Sequence, residues 1–184
     1  IKKEIYLNNY LVEAGLLKFR TTPPKSLDDM HPDSIGYSLI PGRVFVNLQG
    51  REPNGSVPQE QYEASREKLS EVLLNLKEKD TGEPIIREVI KREDIYEGQN
   101  FEAAADLIAV PHDGYDLKGN VNKGVFGEKG ALVGMHTFED SLLFIRNRNL
   151  TKGHNEFWVG DLAPTILKMM DIPIPKDMDG VALV

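Results

Sequence analysis

The segment 61–90, QYEASREKLSEVLLNLKEKDTGEPIIREVI, contains a helical pattern followed directly by a strand pattern. Apolar side chains recur at helical spacing through its first half and form one stripe suited to core packing; they are Tyr62, Leu69, Val72, Leu73 and Leu76. Gly82 is typical of a helix stop. The run that follows it, with Ile85, Ile86, Val89 and Ile90, indicates a strand.

Similar patterns occur on both sides of this segment. They predict helices over 5–14, 58–79 and 161–171 and strands over 43–47, 85–90, 106–110 and 142–146. Ser56 and Gln59 match a capping box for the second helix. Asp161 is the expected N-cap of the third, whose apolar face carries Leu162, Ile166, Met169 and Met170. Alternating strands and helices predict the α/β class, a sheet flanked by helices, in one unit over 1–184.

The glycine-rich segment around 118–132 contains KGNVNKGVFGEKG and is typical of a loop. We expect this part of the chain to be poorly ordered, or the chain to self-associate through an exposed sheet edge or apolar face.

The composition of the 184 residues restricts the classes of partner. The net charge is −7, so the chain has no excess of Lys and Arg with which to displace counterions from nucleic acid, and we expect no nucleic-acid groove. A small phosphorylated substrate stays possible, because a metal ion can supply positive charge locally.

Cysteine is absent, which excludes disulfides, thiolate metal sites and a cysteine nucleophile. Its absence agrees with a reducing compartment, and we expect a cytoplasmic protein. No apolar run approaches the roughly 20 residues of a membrane helix. The chain opens with Ile1 directly into a helical pattern. We interpret it as part of a longer chain, so its first residues do not report on targeting.

His136 is the candidate metal ligand. It lies in GMHTFEDSLLFI, after a glycine and before a predicted strand, where a ring nitrogen can face a metal while the other is held by an acceptor. One histidine cannot form a zinc site, which needs about four ligands. From the residues alone, a structural role for His136 is the commoner alternative.

Other polar side chains have simpler interpretations. Arg43 and Arg51 could meet a phosphate, but carboxylate pairing or turn stabilisation is the commoner role. We expect His31, His112 and His154 on the surface, and Trp158 in the core.

Five segments in order resemble the type I phosphodiesterase/nucleotide pyrophosphatase group of the alkaline phosphatase superfamily. They are IYLNNYLVEAGLL, GRVFVNLQGREPNGSVPQEQYE, REDIYEGQNFEAAADLIAVPHDGYDL, GMHTFEDSLLFIRN and GDLAPTILKMMDIPIPKDMDG. The most specific are NLQGREPNG and DLAPTIL followed by IPIPKDMDG. The resemblance implies that the chain is the C-terminal portion of an alkaline-phosphatase-like catalytic core.

The resemblance implies a two-metal hydrolase of phosphate esters. In that family a Thr or Ser attacks phosphorus, and two divalent cations, commonly zinc, are held by Asp and His residues. An Asp-His-Gly stretch precedes the segment that matches KKEIYLNNYL, and a last histidine ligand stands in a Gly-x-His context. That context matches Gly134, Met135 and His136, although relatives often have glycine where this chain has Asp140-Ser141.

The nucleophile and the Asp-His-Gly ligands have no matching segment in this chain. The expectation is therefore an inactive fragment, with at most weak metal binding, of an enzyme that acts on a small phosphate ester. The alternative is a non-catalytic α/β module for binding or assembly that kept the fold.

Overall fold

The computed structural model describes residues 1–39, 41–131, 133–136, 141–146 and 157–184. The chain divides into two compact units, Ile1–Thr137 and Phe138–Val184. The first unit holds seven described strands and two α-helices, in the order β1 Lys3–Tyr6, α1 Leu7–Glu13, β2 Gly36–Leu39, β3 Arg43–Val46, α2 Tyr62–Leu74, β4 Ile86–Lys91, β5 Leu107–Pro111, β6 Tyr115–Lys118 and β7 Phe126–Glu128. The second unit holds α3 Leu162–Met169 among its described residues.

The strands of the first unit form two sheets. One is antiparallel with the order β2-β3-β5-β4, and the other has the order β6-β1-β7. In the smaller sheet β1 is parallel to β6, with Ile5 opposite Leu117, and antiparallel to β7, with Ile5 opposite Phe126. The predicted α/β class is confirmed, and helices flank two sheets, as suits an alkaline-phosphatase-like α/β core.

The helix α2 is shorter than the predicted 58–79. A short 3-10 turn, Gln59–Gln61, precedes it, and it stops at Leu74, where the Asn75 side chain donates to the Glu71 carbonyl oxygen at 2.9 Å. The predicted capping box is wrong, because the Ser56 hydroxyl instead donates to the Ser34 carbonyl oxygen. The predicted stripe does pack, since Tyr62, Leu69, Leu73 and Leu76 are all buried.

Two corrections concern the smaller sheet. The predicted helix over 5–14 begins only at Leu7, because residues 3–6 form the central strand β1. Part of the predicted loop at 118–132 is the strand β7. The Tyr6 amide donates to the Val125 carbonyl oxygen at 2.8 Å, so the contact between β1 and the glycine-rich segment extends one residue before β7.

Asn8 at the start of α1 joins the two sheets. Its amide nitrogen donates to the carbonyl oxygens of Ser38 and Gly119, each at 2.9 Å, and its side-chain oxygen accepts from the Ser38 amide at 2.7 Å. Asn8 is fully buried, and burial of an amide is tolerated only when its polar atoms are paired. One side chain therefore ties β2 of the larger sheet to the segment that follows β6.

The second unit is organised by polar contacts at the start of α3. Asp161 is the N-cap residue of α3, as predicted, but its carboxylate accepts from the amides of Trp158 and Val181 and not from that helix. The Thr165 hydroxyl accepts from the Leu183 amide at 3.0 Å. A methyl group at Gly180 would overlap the Gly160 carbonyl oxygen. The backbone of the last residues thus lies directly on the start of this helix.

Other predictions for the second unit are wrong. Residues 141–146 form no strand, and Leu142 and Phe144 are 92% and 81% exposed. A strand needs a partner for its backbone groups, and this segment has no ladder with any described residue. Trp158, whose predicted place is the core, is 56% exposed. The apolar side chains of α3, for which only a shared face is predicted, are exposed as well. No helix in the described ranges is long and apolar enough to cross a membrane.

Candidate functional site

The segment 133–136 carries the candidate ligand His136. The amino group of Ile1 donates to the Val133 carbonyl oxygen, which fixes the start of this segment beside β1. A Cβ at Gly134 would meet nothing within 4 Å, and the His136 side chain is exposed. The imidazole therefore lies at the surface of the first unit, on irregular backbone.

His136 is not joined by other metal ligands in the described part of the chain. Among those residues, no three His, Cys, Asp or Glu side chains are close enough together to hold a metal ion. A zinc site needs about four such ligands. Glu139 and Asp140 of the same motif lie outside the described residues. The described residues alone do not fit a two-cation site.

The other described histidines, His31 and His112, do not form a second site. His31 lies in a turn, where its Nδ1 accepts from the Asp33 amide at 3.2 Å and its side chain is 42% exposed. His112 is half-buried in the turn between β5 and β6. His154 lies outside the described residues.

The strongest polar cluster centres on Asp106, directly before β5. Its carboxylate is fully buried and receives both terminal nitrogens of Arg51, at 2.7 and 2.6 Å. The Tyr62 hydroxyl donates to it at 2.5 Å and the Val46 amide at 2.7 Å. Two-point pairing with a guanidinium is among the strongest side-chain interactions, so the buried carboxylate is fully compensated.

The electrostatics of this cluster favour the ionised form of Asp106. Burial alone would raise its pKa, but the hydrogen bonds from Arg51, Tyr62 and Val46 outweigh burial, and the pKa of Asp106 lies below its ordinary value. Burial and the bond to Asp106 raise the pKa of Tyr62 to about 12. The cluster is therefore a fixed ion pair at neutral pH and has no group poised to exchange a proton.

The expectation of carboxylate pairing for Arg51 is confirmed. Arg43 also has the predicted turn role, because it donates to the Pro41 carbonyl oxygen at 3.0 Å. Sequence reasoning missed Asp106 itself. The available signal was an acidic residue at the start of the apolar run DLIAV, where only a buried partner makes a carboxylate tolerable.

The motif NLQGREPNG forms a compact loop that begins at Asn47. The Asn47 side-chain nitrogen donates to the carbonyl oxygens of Pro32 and Ser34, at 3.1 and 3.0 Å. The Asn47 carbonyl oxygen accepts from the amides of Ser56 and Val57, which closes the loop. Gly55 is required inside it, since a methyl group there would overlap the Leu48 carbonyl oxygen. The loop positions Arg51 and Glu52 against β2 and β3.

A family model, described as type I phosphodiesterase/nucleotide pyrophosphatase, matches residues 1–139. The matched range includes the Asn47 loop, Asp106 and His136, whereas α3 and the last residues lie outside it. Comparison with curated proteins and comparison with solved structures each give no significant match.

Proposed function

Because the chain belongs to the type I phosphodiesterase/nucleotide pyrophosphatase family, we propose that it is part of a metal-dependent hydrolase of phosphate esters. The family is one of phosphodiesterase and pyrophosphatase-type hydrolases, and its substrates are phosphate esters. In this proposal His136 binds one of two divalent cations, with zinc as the first candidate. The observation that carries it is the family match over residues 1–139, which includes His136.

The position of His136 supports the proposal. A ligand must present a ring nitrogen to the ion, and the exposed imidazole at 136 is accessible. The hydrogen bond from Ile1 to Val133 holds the preceding backbone. Gly134 leaves open space beside the segment, so an ion and its other ligands could approach.

The described residues do not complete a ligand set, because no group of three potential ligands lies within them. We therefore propose that this chain alone binds zinc weakly and hydrolyses no phosphate ester at a measurable rate. Most of the free energy of zinc binding depends on several ligands that converge on one ion. Self-association of the chain is part of the same proposal, supported by the exposed Leu142 and Phe144.

The second candidate function is a non-catalytic binding or assembly module. Two features of the described residues favour it: their buried polar cluster is a fixed structural ion pair, and they contain no group of three convergent metal ligands. The two candidates differ in the protein from which the chain derives: only a hydrolase retains a nucleophile and further metal ligands.

The test measures metal content and hydrolysis of bis(p-nitrophenyl) phosphate for the full-length protein and its His136→Ala variant. We expect the variant to lose about one equivalent of bound zinc and to hydrolyse the ester orders of magnitude more slowly. Thermal unfolding of the metal-free proteins should coincide. His31→Ala is the matched control, because that side chain is 42% exposed and, among the described residues, contacts its neighbour Asp33.

Two results would contradict the proposal in different ways. A His136→Ala variant with full zinc content and normal rate would make His136 a structural residue. A full-length protein that binds no zinc and cleaves no phosphodiester would favour the non-catalytic module.

A further inference from the structure

A cleft of about 480 Å³ lies beside the Asn47 loop. Its lining includes Leu27, Asp28 and Met30 at the short turn and the segment 52–54 of the loop. Tyr37 and Leu39 of β2 line it as well. Its volume is within the range of small-molecule sites, which is about 300–1,000 Å³. His136 is not among the lining residues.

The acidic wall of the cleft is held in place before any ligand arrives. The Glu52 carboxylate accepts from the Tyr37 hydroxyl at 2.9 Å and from Arg51 Nε at 3.0 Å. The Tyr37 ring stacks on Phe45, with centroids 5.5 Å apart and planes 12° apart. Because Arg51 is also anchored on the buried Asp106, the position of Glu52 is coupled to the core. A preformed wall lowers the ordering cost of binding.

The charge of the lining has one sign. Asp28 and Glu52 are its only ionisable acids, and no Lys, Arg or His is among the described residues that line it. Arg51 pairs with both Glu52 and Asp106, and Arg92 also lies 3.8 Å from Asp106, so the negative charge of the cleft comes chiefly from Asp28. Each carboxylate oxygen can accept more than one hydrogen bond, which leaves acceptor capacity for a ligand with N–H groups.

The rest of the lining is apolar. Leu27, Met30 and Leu39 contribute aliphatic surface, and Leu39 is 44% exposed although it belongs to a strand. A ligand that covers exposed apolar side chains in a concave site removes them from water, and this burial favours binding. An anion would find no cationic donor here. A bare divalent cation would find too few oxygen ligands, since such ions take about six.

We propose that this cleft binds a small organic cation with an apolar body, of the arylalkylamine class. Its ammonium group donates to the carboxylates of Asp28 and Glu52, and its apolar body covers Leu27, Met30 and Leu39. The site is independent of phosphate-ester hydrolysis and of His136, and it gives the NLQGREPNG motif a binding role.

The test titrates the chain with phenethylammonium by calorimetry and by NMR of backbone amides. We expect saturable one-to-one binding with shifts confined to residues around 27–30, 37–39 and 52–54. Neutral 2-phenylethanol, of the same shape, should bind at least tenfold more weakly, and phenylacetate should not bind.

Variants separate the site from general attraction to an acidic protein. Asp28→Asn, at an exposed position, should weaken binding at least fivefold, and Leu39→Ser should weaken phenethylammonium and phenylethanol alike. Asp113→Asn removes one negative charge outside the cleft and should change nothing. The proposal is overturned if phenylethanol binds as well as the amine, or if Asp28→Asn binds like the unchanged protein. It is also overturned if Asp113→Asn weakens binding as much as Asp28→Asn does.

Discussion

Arg51 and Asp106 form a two-point ion pair across 55 positions of the chain, with both carboxylate oxygens engaged. The pair joins the Asn47 loop to the start of β5. Asp106 is fully buried, whereas the Arg51 side chain is 22% exposed. The loop is therefore anchored on a buried charge, beside which Arg92 also lies, 3.8 Å away.

The first prediction is that Arg51→Ala strongly destabilises the first unit. Removal of Arg51 takes away the two-point partner of the buried Asp106 carboxylate and leaves Arg92, 3.8 Å away, as its remaining cation. We expect a cost of about 3 kcal/mol, the lower end of the range for breaking a buried pair. The measurement is the free energy of unfolding in urea. Arg43→Ala on β3 is the matched control, because its side chain is exposed and donates to the nearby Pro41 carbonyl oxygen. It should change stability by about 0.5 kcal/mol or less. Equal effects of the two substitutions would show that the pair does not hold the loop.

The second prediction concerns acid. The pKa of Asp106 is lower in the folded state than in the unfolded chain, so its ionisation stabilises the fold above the unfolded pKa of about 3.9. That contribution is lost as the pH falls through the folded pKa. We expect the urea midpoint to stay level near neutrality and to drop below about pH 4.

The residue Glu93 provides a contrast in the same titration. The Arg66 guanidinium lowers the pKa of Glu93 to about 2, but the Glu93 side chain is 45% exposed and salt screens exposed charges. Glu93→Gln should therefore flatten the acid dependence slightly, and only at low salt, whereas Asp106→Asn should flatten it at low and high salt. A pH profile unaltered in Asp106→Asn would refute the assignment.

The third prediction tests the link between the sheets. Asn8→Ala removes the partner of the Ser38 amide and of two carbonyl oxygens at a fully buried position. The expected loss is about 2–3 kcal/mol, because unpaired buried polar groups cost about 1–3 kcal/mol. Asn9→Ala, one residue along α1, removes a single exposed bond to the Asn120 carbonyl oxygen and should cost less than about 1 kcal/mol. Reversal of this order would mean that Asn8 does not couple the sheets.

The fourth prediction compares two glycines with similar backbone angles. Gly15 and Gly42 have φ of 72° and 66°, so alanine is strained at both. A methyl group at Gly15 meets open space, whereas at Gly42 it overlaps the Ala109 carbonyl oxygen of β5. Thermal unfolding should therefore show that Gly42→Ala costs more than Gly15→Ala by at least about 1 kcal/mol, the lower range for overpacking. Equal melting temperatures would show that the contact relaxes freely.

The local pattern of apolar residues predicts those helices and strands whose buried residues recur at regular spacing within one short segment. The stripe of α2 and the runs of β3, β4 and β5 were placed within a few residues, because burial on one face leaves a direct trace in the residue order. The local pattern predicts a helix where β1 lies, because Tyr6, Leu7, Tyr10 and Leu11 have helical spacing. The strand identity of β1 depends on partners at 115–118 and 126–128, which no local window contains.

In the candidate site, too, some roles can be predicted from the local sequence and others only from the fold. The role of Arg51 could be predicted as carboxylate pairing, but its partner Asp106 is identified only by the fold. The run at 142–146 is apolar enough for a strand, yet no described residue pairs with it. The exposure of His136 shows that it is accessible, while its function as a metal ligand stays a prediction.

The central position of β1 has a consequence for the order in which the first unit assembles. During synthesis, Lys3–Tyr6 leaves the ribosome more than a hundred residues before its partners at 115–118 and 126–128 exist. The strands β2 and β3 can pair as soon as both are made, because only a short turn separates them. The strands β4 and β5 can pair soon after β5 is made, because only residues 92–106 separate them. The larger sheet can therefore form first on the nascent chain, and β1, although synthesised before these strands, pairs after them.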